Sequence, residues 1–244
     1  QALDEAWSAS RAVEVAGNAA ITVAEFAYLP AADAPAARLP ALAPVAELDF
    51  AQFRLDNGVR VNVKRTDFKE QQILFRAMLG EGRLSLGASE QPLGWMAERV
   101  FADGGLGKHT RDELRRILAG KEVALSFSAG IDSFSFGGTT TAEDLLLQCA
   151  VVCAYLQDAG WREDGIVRVK RELPLMYEGM RHQHQGPVVR EFMSALFAGD
   201  ERFTFFAQAK LEAVELPAVR TWLAPSLADA PLELATWAFA LQHA

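Results

Sequence analysis

Nothing in this 244-residue chain is a continuous apolar run long enough to span a bilayer, which takes about 18 or more residues, so a transmembrane helix is not expected. Excess positive charge is missing too. Lys and Arg number 24 against 32 Asp and Glu, a formal net charge of −8, and no Lys/Arg run offers a phosphate-tracking groove. Together these argue against a nucleic-acid partner. Cysteine is scarce: Cys149 and Cys153 lie four apart in an apolar helical run and read as buried free thiols. A metal pair would need two more ligands close by, so the cysteines do not fix a redox compartment. No Gly-x-Ser-x-Gly elbow is present to anchor a serine hydrolase. The chain opens on Gln1 without Met or a charged, apolar leader, which reads as a mature product or an excised piece.

What is present is ordinary for a globular protein, with 50% apolar and 23% charged residues. The segment 29-LPAADAPAARLPALAP-44 carries four prolines and no period, which blocks helix and sheet pairing and suggests a linker. Before it, 19-AAITVAEFAYL-29 is compatible with a strand. Residues 1–48 are therefore read as an arm or connection, and 49–244 as the folded domain.

The domain starts with alternation. Phe53 and Leu55, then Asp56-Asn57-Gly58, then Val59, Val61 and Val63 predict a hairpin, with both Asn57 and Gly58 at positive φ. A strand over 72–80 follows, then a helix over 92–103. Thr110 and Glu113 have capping-box spacing at the head of a helix over 110–121. A second hairpin spans 122–138 with its turn near Gly130. The helix over 142–160, capped by Thr141, is apolar around most of its circumference and is expected to be central. Helices over 162–182, 187–199 and 217–227 complete the pattern. Hairpins in place of crossovers predict an α+β fold, an antiparallel-rich mixed sheet covered by helices on one face.

Three groups invite chemistry. The run 103-DGGLGKHT-110 fails as a phosphate loop, with Ala102 where the first Gly belongs and His109 where Ser or Thr should follow the Lys. His182 and His184 are two apart beside Gly186-Pro187, a spacing that points them in different directions at a helix end. The third is Glu98, within 92-PLGWMAERVFADGG-105, whose helical apolar spacing leaves one acid on the helix.

At this stretch the chain resembles the insulinase/pitrilysin family of zinc metallopeptidases. The carrying features, in family order between Phe53 and about Glu233, are 55-LDNGVRVNVKRTDF-68, 73-ILFRAMLGEGR-83, 101-FADGGLGKHT-110, the hairpin over 119–140 and 141-TAEDLLLQCAVVCAYLQDAGW-161. The resemblance is to the third of four homologous domains in large bacterial members. It implies an insulinase/mitochondrial-processing-peptidase-like fold.

Active domains of that family carry His-x-x-Glu-His. Two imidazoles one turn apart bind Zn²⁺, the Glu acts as general base on the bound water, and a later Glu completes the site. That motif falls here on Trp95, Glu98 and Arg99, with Glu172 or Glu178 as the later carboxylate. Indole offers only an N–H donor and guanidinium has no lone pair, so neither can bind zinc. The resemblance thus implies no catalytic residue, no metal and no cofactor in this chain, with zinc in a separate catalytic domain of the parent. Glu98 is expected to pair with a Lys or Arg of the helix over 162–181.

Two functions follow as expectations. One is a catalytically inert domain that helps a zinc metallopeptidase enclose and bind peptide, its partners being the other domains or subunits and the substrate. The alternative is a free-standing structural or interaction subunit without protease activity. A periplasmic location is implied by the resemblance only. One departure stands out: family domains of this type end in a strand followed by Gly-Asp, whereas 230-APLELATWAFALQHA-244 begins that strand and runs on without it. Either the domain is truncated at that end or its last element is a helix.

Overall fold

A computed structural model describes residues 7, 25–31, 47, 49–66, 69 and 71–239. Its centre is one six-stranded sheet in the order β1 (Ala51–Arg54), β2 (Arg60–Thr66), β6 (Leu232–Phe239), β3 (Ile73–Leu79), β5 (Phe134–Thr140), β4 (Ser126–Ala129). All neighbours run antiparallel except β2 and β6. The expected α+β class and antiparallel-rich sheet are therefore observed.

β3 alternates strictly, with Ile73, Phe75, Ala77 and Leu79 buried and Leu74, Arg76 and Met78 exposed. Period-two alternation of this kind gives a sheet with one packed face and one open face. The helices are α1 (Gln91–Val100), α2 (Arg111–Ile117), α3 (Leu145–Gln157), α4 (Glu163–His182), the single turns α5 (Met193–Leu196) and α6 (Gln208–Glu212), and α7 (Leu216–Asp229). Phe75, Phe134 and Phe136 of the sheet pack with Phe101, Val151, Tyr155 and Leu223 in one core. Met96, Val100, Ile166, Leu173, Leu211 and Val219 form a second core among α1, α4, α6 and α7. Trp161 and Trp222 border both. Each large side chain fully withdrawn from water contributes about 2 kcal/mol, so these clusters fix where α1 sits.

Several features differ from expectation. The first hairpin closes with a three-residue connection, Asp56 to Gly58, in which Gly58 alone takes positive φ (87°) and the Asn57 side chain accepts the Val59 N–H at 3.2 Å. That is a turn followed by a left-handed glycine, so Asn57 keeps negative φ. α3 is not central. Leu146 (61% exposed) and Cys153 stand on its solvent side, a facing that its even hydrophobicity does not reveal. It also starts later, because the Thr141 hydroxyl accepts the Asp144 N–H at 3.3 Å and holds the intervening residues in a turn.

The candidate strand over 19–29 lies mostly outside the described residues, but 25–29 pair with no strand. Their polar groups are used elsewhere: the Ala27 N–H donates to His109 Nε2 at 3.0 Å and the Tyr28 hydroxyl to Asp158 at 2.6 Å. Finally, the segment from 232 to 239 is a strand and not a helix, and it fills the middle of the sheet.

The capping box at Thr110–Glu113 is formed as expected, with Glu113 Oε2 accepting the Thr110 N–H at 2.7 Å.

Candidate functional site: the helix of Trp95, Glu98 and Arg99

α1 begins after a short turn with Pro92 near its start, where the missing N–H leaves no bond broken. Met96, Ala97 and Val100 face the core. That orientation turns Trp95, Glu98 and Arg99 outward, and the 3.6-residue period brings Trp95 and Arg99 one above the other.

Those two side chains hold each other. The Arg99 guanidinium carbon lies 3.3 Å from the Trp95 ring centroid, and Arg99 Nη1 donates to the Trp95 carbonyl at 3.1 Å. Partial burial in this stack pushes the guanidinium below its ordinary pKa, and the neighbouring Glu98 charge offsets part of that. With Asp103, Val169, Glu172, Leu173 and Met176, the pair lines a groove of about 360 Å³ between α1 and α4. Of the two later carboxylates, Glu172 lines the same groove as Trp95 and Arg99. Glu178 lies apart on the surface, bound to Arg181 at 3.2 Å and His182 at 2.9 Å. The hydrogen bond from His182, with the Arg181 charge, lowers the Glu178 pKa.

Glu98 does not pair with a cation of α4. Its Oε1 accepts the Ser128 hydroxyl at 2.6 Å, and its other oxygen is 3.8 Å from Arg99. Arg168 of α4 does bind an acid of this stretch, but the acid is Asp103, at 2.6 Å; Asp103 also meets Arg111 at 3.0 Å. The reason is direction: α1 leans Glu98 toward the edge strand β4, while the turn after α1 delivers Asp103 to α4. From sequence, Ser128 is placed only as far as its face, because Ser126 and Ser128 alternate with buried Phe127 and Ala129.

The donor set does not fit zinc. Trp95 and Arg99 have no lone pair to give, and Glu98 is occupied by a hydroxyl donor. Among the described residues, no group of three or more His, Cys, Asp or Glu side chains is arranged to hold a metal ion. No metal-dependent step follows for these residues.

The glycine-rich turn after α1 is also settled by geometry. Arg162 Nη1 donates to the carbonyls of Gly104 (2.6 Å) and Leu106 (2.7 Å), while Nη2 reaches that of Gly107 at 3.0 Å. The loop thus turns carbonyls toward a half-buried cation, the reverse of the N–H cradle a phosphate requires. Gly105 sits at φ 66°, where an added Cβ would lie 2.7 Å from the His109 carbonyl oxygen. Against this loop rests the arm: Phe26 is 7% exposed and stacks on buried His109, and Tyr28 bridges Asp158 and the Lys108 N–H. No local pattern in the sequence signals this contact. Cys149 and Cys153 are free thiols, the first half-buried and the second on the solvent side, where full burial was expected of both. The apolar surroundings still raise both, Cys149 to about 11, which keeps them protonated and unreactive at neutral pH.

An open antiparallel-rich sheet with helices on one face, and α1 lying beside the edge strand, make up an α+β fold that is shared with solved peptidases. No protein-family model matches the chain. Among curated proteins, the chloroplastic stromal processing peptidase of Pisum sativum is 23% identical over 177 residues, and that of Arabidopsis thaliana 22% over 177. Each match covers 71% of this chain and 14% of the relative, so the match spans about a seventh of the relatives' length. Among solved structures, the periplasmic protease PqqL from Escherichia coli superposes with a TM-score of 0.70 at 16% identity, over 98% of this chain and 26% of that one. The ferredoxin protease FusC, solved as a mutant in complex with Arabidopsis ferredoxin, gives 0.64 at 17% identity over the same shares, 98% and 26%. The resemblance read from the sequence and these comparisons agree on the fold.

Proposed function

We propose that this chain is a non-catalytic insulinase-type domain that helps enclose and bind peptide, while a separate domain supplies the zinc site and the proteolysis. The observation that carries the proposal is the Trp95–Arg99 stack, with the guanidinium carbon 3.3 Å from the ring centroid, standing where a peptidase of this fold needs two imidazoles. The size of the relatives supports it as well, since this chain matches only 26% of the length of PqqL or FusC. Partners are then the remaining domains or subunits and an unfolded peptide. A periplasmic setting accords with the location of PqqL. The open edge of β4, beside α1, is suited to pairing with an extended peptide by strand addition.

The test is a zinc titration by calorimetry, paired with a fluorescence assay for binding of an unfolded peptide. The expected result is peptide binding without cleavage and without stoichiometric zinc uptake at micromolar metal. Zinc uptake at that level, abolished by Glu98→Ala, would overturn the inert reading. Cleavage that persists in chelator would point to an unrelated site. Failure to bind any peptide, with retained association to a peptidase subunit, would favour a purely structural subunit.

A further inference from the structure

We infer that the open face of the sheet is a docking surface for an acidic peptide segment bearing a large apolar side chain. The inference rests on the enclosure reading above and names the substrate chemistry for it. The strand registers place three rows of side chains across this face. The first is Lys64, Trp237, Leu74 and Thr139; the second is Gln52, Asn62, Ala235, Arg76, Gly137 and Ser126; the third is Arg54, Arg60, Glu233, Met78, Ser135 and Ser128.

Charge is the first argument. Among the described residues, the strand registers place four cations on the face, Arg54, Arg60, Lys64 and Arg76, and one carboxylate, Glu233, although the whole chain has a net charge of −8. Glu233 is already used, meeting Arg60 at 2.7 Å and accepting from Asn62 at 2.6 Å. Arg76, at the middle of the sheet, has no ion-pair or hydrogen-bond partner among the described residues. A cation held at the centre of a rigid sheet on an otherwise acidic protein selects and steers an acidic ligand.

Relief is the second. Arg76 is flanked across the strands by Ala235 and Gly137, so the ground on both sides of it is low. Along its own strand stand Leu74, 43% exposed, and Met78, 37% exposed. Beside this trough is an apolar cavity of about 200 Å³, lined by Phe50, Asn62, Lys64, Ala235, Thr236 and Trp237. A segment lying in the trough sets carboxylates on Arg76 and Arg54 and one apolar side chain in the cavity. Among the described residues, the helical layer is on the other face, against Phe75, Phe134 and Phe136, and leaves this trough uncovered.

The experiment uses the full chain and a fluorescent peptide of about a dozen residues, rich in Asp and Glu with one central Phe, read by anisotropy. Controls are the same peptide with Lys replacing the acids, and with Ser replacing Phe. Variants are Arg76→Glu, Arg76→Ala and Leu74→Ser, with Arg65→Glu as an equal charge change on the opposite face of β2. The expected result is that the acidic Phe peptide binds, that rising salt weakens it, and that Arg76→Glu weakens it by about tenfold or more while Arg65→Glu does not. Arg76→Ala and Leu74→Ser fall between.

Equal binding of the Lys peptide, or an equal loss in Arg65→Glu, overturns the inference. So does a dimer seen by sedimentation that Arg76→Glu dissolves, since the occupant would then be a second copy. Peptide binding indifferent to every substitution on this face also overturns it, yet leaves the enclosure reading standing. No binding of any peptide overturns both.

Discussion

Trp95 and Arg99 lie one helical turn apart on α1 with the guanidinium carbon 3.3 Å from the indole centroid, so the two side chains hold each other in one stack. A stack of this kind is worth about 0.5–1 kcal/mol at a half-exposed site. Trp95→His combined with Arg99→His should therefore lose little stability. It should create a zinc site with one-to-one stoichiometry, read by calorimetry. Adding Glu172→Ala should weaken that site by about tenfold, because Glu172 lines the same groove, whereas Glu178→Ala should leave it unchanged.

The Glu98–Ser128 hydrogen bond joins α1 to the edge strand at 2.6 Å. Bonds to charged groups contribute about 1.5–3 kcal/mol when shielded, and the side chain of Glu98 is 36% exposed, so about 1 kcal/mol is expected here. A double-mutant cycle of Glu98→Gln and Ser128→Ala in urea unfolding should give a coupling of that size. A coupling of zero would mean that the hydroxyl does not bind the carboxylate in solution.

Tyr155 supplies a pH dependence. Burial raises its phenol to about 12, from an ordinary 10, with the Asp103 charge acting in the same direction. A raised pKa favours the protonated native state. Its contribution is complete below pH 10 and is lost as pH rises from 10 toward 12. The loss should total on the order of 2 kcal/mol. The Cys149 thiol, raised to about 11 by burial, adds a loss of the same sign, beginning near its ordinary 9. Urea unfolding across pH 8 to 12 should show both losses, and Tyr155→Phe should remove the later one.

The arm contact should be separable from the domain. Tyr28→Phe strands the Lys108 N–H and frees Asp158, removing bonds of 2.8 Å and 2.6 Å. The loss should be on the order of 1–2 kcal/mol and confined to the arm. Limited proteolysis should then cut between the arm and β1 about tenfold faster, with the unfolding midpoint of the domain little changed.

Hairpins, caps and the motif helix are legible in the sequence because they are encoded by local period. Val61 and Val63, Phe127 and Ala129, and Thr110 with Glu113 each declare their partners within a few residues. What escapes such a reading is set at long range. Glu98 meets Ser128 thirty residues away, and Asp103 meets Arg168 across sixty-five. Neither pairing follows from spacing, since each depends on how α1 is rotated by the cores beneath it. The place of Leu232–Phe239 is equally hidden, for an alternating apolar strand does not say which neighbours it will have.

That strand has a consequence for how the molecule is made. β6 is the last described element and lies between β2 and β3, which are joined to nothing else on those sides. While the chain is being synthesised, the β1–β2 and β5–β4 hairpins can form early, from contacts close in sequence, and β3 then joins β5 to complete the β3–β5–β4 half. They cannot be united until residues 232–239 emerge. Assembly is therefore governed by the slow closure of one long-range seam, and until it closes two sheet edges stand unpaired, open to capture by a chaperone or to misassociation.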